Sequence, residues 1–81
     1  MNEFSRAKIN TIQSLLQNEE MNLFQHELVV EDAEKPTGDK DVDAQMKVLA
    51  NNAKAAILAI KRRLDVRRAK LVELETEMKS E

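Results

Sequence analysis

The chain has 81 residues, with 13 basic and 15 acidic side chains, one glycine, one proline and no cysteine. That size allows one small domain, and the lack of cysteine rules out disulfide staples and thiolate metal sites. No apolar run reaches the roughly 18 residues of a bilayer span and no charged-then-apolar leader opens the chain, which predicts a soluble cytoplasmic protein with no membrane partner.

The composition, rich in Ala, Leu, Glu, Lys and Arg with only two aromatic residues, is that of long helices and coiled coils, an all-α class. The net charge of −2 hides a strong asymmetry. Residues 27–43 hold seven carboxylates against Lys35 and Lys40, whereas residues 61–70 hold six cations against Asp65 alone.

The first helix is predicted over residues 3–28. Asn2 suits the N-cap, and Glu3 sits at the positive end of the helix dipole. Ile9, Ile12, Leu16 and Leu23 share one face at helical spacing. Met21, Phe24 and Leu28 make a second, displaced row, with the face shifting near Asn18-Glu19-Glu20. Residues 29–40 read as the connection. Val29 and Val30 weaken the helix through their restricted rotamers, and Lys35-Pro36-Thr37-Gly38-Asp39 is a strong turn signal.

The second helix is predicted over residues 41–79, about 57 Å long against about 39 Å for the first. Asp39 or Asp41 can cap it. Its apolar row runs Val42, Met46, Leu49, Ala53, Ile57, Ile60, Leu64, Leu71, Leu74, Met78, with Arg67 filling the gap after Leu64. Folding back symmetrically about the loop gives an antiparallel two-helix hairpin, a single helical domain spanning residues 1–81. That register sets Leu28 near Val42, Glu19 and Glu20 near Asn51 and Asn52 in a polar layer, and Phe4 near Leu64 to Val66. It leaves Leu71, Leu74 and Met78 overhanging, to be covered by oligomerisation into a helical bundle or by a partner protein.

These features predict a non-enzymatic interaction module, an accessory, inhibitor or assembly-type protein, that docks by a helix face. Leu64, Leu71, Leu74 and Met78 are the expected anchors, with Arg67 and Arg68 setting orientation. Arg67 within an apolar row demands a carboxylate, and Glu3 is the nearest in this register. The alternative is a nucleic-acid-binding regulator that presents Lys61, Arg62, Arg63, Arg67, Arg68 and Lys70 to phosphates. On a helix those six charges scatter around the circumference, no aromatic platform adjoins them, and the chain is acidic overall, so the interaction reading leads.

Other candidate chemistry fails on residue type. Asp39-Lys40-Asp41-Val42-Asp43 lacks the glycine and the closing glutamate of a calcium loop, since Ala44 and Ala50 stand in those places. His26, the single histidine, cannot assemble a zinc site or a nucleophilic triad and is expected at the edge of the core. With one glycine there is no phosphate-binding loop, and no cofactor, metal or small-molecule substrate is implied.

Overall fold

A computed structural model describes residues 3–80. Two helices, α1 (Glu3–Ala33) and α2 (Lys40–Lys79), pack antiparallel as a hairpin 62 Å long. The proposed Asn2 cap lies outside the described residues.

α1 does not end at Leu28 but runs five residues further, through Val29 and Val30 to Ala33. The β-branched penalty at an interior position is only a few tenths of a kcal/mol, and packing outweighs it. Val30 is half-buried and Ala33 buried, three residues apart on the face turned toward α2. The connection therefore shrinks from residues 29–40 to residues 34–39.

That short segment is tightly tied. Pro36 cannot continue the helix, and Gly38 adopts φ 88°, a left-handed conformation open to glycine at little cost. Asp39 caps α2, its Oδ1 accepting the backbone N–H of Asp41 at 2.9 Å and of Val42 at 3.2 Å. Thr37 donates its N–H (2.9 Å) and its hydroxyl (2.7 Å) to Asp43 Oδ1, so the loop is strapped to the first turn of α2. The Thr37 hydroxyl, its backbone N–H and that of Gly38 together hold the Asp43 carboxyl below its ordinary pKa.

Both helices turn inward a strict alternation of three- and four-residue steps. On α1 the series is Ile9, Ile12, Leu16, Glu19, Leu23, His26, Val30, Ala33; on α2 it is Met46, Ala50, Ala53, Ile57, Ile60, Leu64, Arg67, Leu71, Leu74, Met78, all buried or half-buried. Leu16, Ile60 and Leu64 form the centre, with Ile12, Leu23 and Leu71 packed around it. The expected row on α2 is thus corrected at its start. Val42 and Leu49 are exposed, and Ala50 is the buried member instead.

The axial register also differs from the symmetric fold-back. Glu19 lies opposite Arg67, sixteen residues beyond Asn51, a displacement of about 24 Å. Leu74 is 4% exposed, beside Ala7 and Ile12; Met78 neighbours Ile9. The C-terminal turns of α2 are covered by α1, and the anticipated overhang there does not exist. The uncovered stretch is the beginning of α2, where Ala33 and Pro36 gather beside Lys47 and Ala50. Six extended residues reach about 20 Å, enough for the loop to run back along those first turns.

Candidate functional site

The most distinctive chemistry of the molecule is a charge cluster set into the apolar seam. Glu19 falls three residues after Leu16 and four before Leu23, so helical geometry alone aims it at α2. Its residue surface is 9% exposed, yet it is fully engaged. Arg67 Nη1 donates to Glu19 Oε1 at 2.7 Å; Arg63 Nε donates to the same oxygen at 2.7 Å and its Nη2 reaches Oε2 at 3.4 Å. The Arg63 hydrogen bond, reinforced by the two guanidinium charges, holds the Glu19 carboxyl below its ordinary pKa against the opposing effect of desolvation. Glu19 in turn raises that of Arg63. Glu3 is not the partner of Arg67, and Glu19 does not meet Asn51.

The cluster binds the helices to each other in one register, and a second set of charges lines one side of the seam. Glu20 and Glu27 on α1 and Glu34 just past its end recur every seven residues; Lys40, Lys47, Lys54, Lys61 and Arg68 do so on α2. Glu34 pairs with Lys54 at 2.7 Å and Glu20 with Arg68 at 3.6 Å. The pairs lie fourteen residues apart in each row, so one antiparallel register spans that stretch and sets Glu27 opposite Lys61. These rows define a charged flank of the hairpin. Seven-residue spacing of like charges was the signal in the sequence that marks them; reading residues 61–70 as one block conceals it.

The basic segment is accordingly divided. Lys61 and Arg68 stand on the charged flank, Arg62 on the outer edge, Arg67 in the seam, and Arg63 and Lys70 on the opposite flank. Arg63, Arg67, Arg68 and Lys70 each have a carboxylate of this chain within 3.6 Å.

The opposite flank carries little charge. Between Leu49 and Val66 its α2 positions are Leu49, Asn52, Ala56, Ala59, Arg63 and Val66, and Arg63 is turned onto Glu19. Facing them on α1 are Asn22, Gln25, Val29 and the exposed carboxylate Asp32. Near the open end Lys8 lies 4.4 Å over the Phe4 ring, a cation–π contact at an otherwise bare aromatic.

Of the residues expected to anchor a partner, Leu64 (2% exposed) and Leu74 are core, Leu71 and Met78 are half-buried against α1, and Arg67 is held by Glu19. Only Arg68 is exposed on the surface as foreseen, and it is paired with Glu20. His26 is half-buried at an inward position, its Nδ1 2.8 Å from the Asn22 carbonyl oxygen, which places the proton on Nδ1 if the bond is made. Among the described residues no group of three or more His, Asp or Glu side chains could hold a metal ion, and no helix is long and apolar enough to cross a membrane. The surface concavities are shallow and open to solvent.

No protein-family model, no curated protein and no solved structure matches the chain.

Proposed function

We propose that this protein is a non-enzymatic interaction module that works in the cytoplasm by docking a face of its helical hairpin, in the manner of an antiparallel coiled coil completed into a larger helical assembly. One observation carries the reading. Among the described residues eleven large apolar side chains are exposed, from Phe4 at 68% to Val72 at 63%, while five are buried (Ile9, Leu16, Ile60, Leu64 and Leu74). Each helix has a single neighbour, so the hairpin exposes more large apolar groups than it fully buries. Burying one such side chain contributes about 1.5–3 kcal/mol, a gain left unrealised in the isolated hairpin. Helix-face docking realises it.

The docking anchors are the exposed side chains and not Leu64 and Leu74, which the core already uses. A titration of labelled duplex and single-stranded DNA at about 150 mM salt tests the reading. The interaction module gives no saturable binding. Binding that weakens steeply with added salt overturns it in favour of a nucleic-acid regulator acting through Lys61, Arg62 and Lys70.

A further inference from the structure

We infer that a second copy of this chain occupies the sparsely charged flank, lying antiparallel to the first with the two-fold axis near Ala56 and Ala59. This rests on the interaction reading above and names its partner and its surface.

The two flanks differ in what they can bury. Covering the charged flank would desolvate Lys47, Lys54, Lys61, Glu20, Glu27 and Glu34, which is costly for every charge not perfectly paired. Covering the other between Leu49 and Val66 removes from water aliphatic and amide groups, one arginine that already has its carboxylate, and a single further charge, Asp32. Its centre is small: Asn52, Ala56 and Ala59 allow two helices to approach closely.

Charge then selects the occupant and its direction. Residues 27–43 carry a formal charge of −5, seven carboxylates against two lysines, and residues 61–70 carry +5, six cations against one carboxylate. Glu19 and Glu20, seated on that basic segment, lower its charge to +3, and the chain stays complementary to itself. A parallel pair would stack the two acidic loop ends on each other; an antiparallel pair sets each acidic end beside the partner's basic shaft, which steers association and excludes the wrong orientation. In the hairpin's own register the point midway between the two segments falls at Ala56 to Ala59. A two-fold axis there brings Leu49 of one copy to Val66 of the other, both exposed in the single hairpin.

The surface is large enough. The overlap about this axis runs roughly 50 Å along a hairpin 15 Å across, a footprint of about 800 Å² per copy, the size of a standard specific interface; it extends past the strip between Leu49 and Val66, which supplies about half of it, onto the Lys70–Glu73 pair.

The chain has no cysteine, so single-cysteine variants report the geometry directly. Light scattering of the unmodified chain is expected to give twice the 9.3 kDa of one copy. Ala59→Cys should join two chains through a short thiol crosslinker, whereas Asn51→Cys on the charged flank should not. Leu49→Asp and Val66→Asp, both at exposed positions, should each reduce the mass to that of one chain with helical circular dichroism unchanged; Leu58→Asp on the charged flank should leave the dimer intact. A 9.3 kDa particle at every concentration overturns the second copy as occupant, and a dimer broken by Leu58→Asp but not Leu49→Asp overturns the assigned flank. Neither result touches the interaction reading itself, which fails instead on nucleic-acid binding.

Discussion

The two flanks of the hairpin are built from the same pair of helices and solve opposite problems. On one, glutamates at seven-residue spacing along α1 and just past its end face lysines and an arginine at the same spacing on α2, with Glu34–Lys54 and Glu20–Arg68 as the formed pairs. These contacts are half-exposed and individually weak, and because both rows repeat every seven residues they align the flank without choosing among seven-residue slides; that choice rests on Glu19 with Arg63 and Arg67. On the other flank, Leu49, Ala56, Ala59 and Val66 specify no register within the chain and leave an apolar strip open. Charge sets the intramolecular fit, and its absence leaves an exposed apolar strip, the surface proposed for docking.

The largest expected effect separates core from flank. Leu64→Ala should destabilise the fold by about 2–5 kcal/mol, because the side chain is fully enclosed between Leu16 and Ile60. Thermal unfolding followed by circular dichroism measures it. The same substitution at Leu58, 62% exposed, should change the melting temperature little. Equal losses at both positions would erase the distinction between seam and flank.

Next comes the charge in the seam. Glu19→Gln should lower the melting temperature more than Glu20→Gln, since it removes the shared acceptor of Arg63 and Arg67. Replacing the inward pair together, Glu19→Leu with Arg67→Leu, should recover most of that loss, as apolar substitutes for a buried ion pair commonly do. The double variant should also tolerate a slipped register, detectable as new crosslinks between cysteines on α1 and α2.

Acid sharpens the same point. The carboxyl groups of Glu19 and Asp43 are depressed in the folded chain, so the stability they contribute is full above their ordinary values. It is lost as pH falls below those values through the depressed ones. The melting temperature should hold near neutrality and drop in that acid window, and Glu19→Gln should flatten the drop.

Smaller shifts belong to the loop and the charged flank. Asp39→Ala removes two accepted N–H bonds at the start of α2 and should cost about 1 kcal/mol. Lys54→Ala, which breaks one half-exposed ion pair, should cost about 0.2–1 kcal/mol. A loss at Lys54 comparable to that at Leu64 would mean that the charged flank holds the fold rather than aligning it.

Several elements were legible from residue order. Pro36 and Gly38 marked the turn, Asp39 or Asp41 the cap, of which Asp39 is the one used, and the row from Ala53 through Ile57, Ile60 and Leu64 the inward face of α2. The exposed row Met21, Phe24, Leu28 was correctly separated from the inward face of α1. The end of α1 was misplaced because Val29 and Val30 oppose helix locally, while Val30 and Ala33 gain their burial only from α2. Glu19 was passed over as a polar interruption, since its neighbours do not reveal that two guanidinium groups await it from residues 44 and 48 positions away.

Sequence alone determined that this chain is two helices joined by a turn, and which side of each helix is apolar, because both follow from local conformational preference and a 3.6-residue period. Tertiary structure decided the axial register, and with it the fate of Leu71, Leu74 and Met78. A repeating seam looks alike after a slide of seven residues, so periodicity cannot choose among the slides. The choice falls to contacts between distant positions that do not repeat every seven residues, those of Glu19 with Arg63 and Arg67. Those contacts carried the C-terminal turns of α2 under α1 and left the flank from Leu49 to Val66 as the open face.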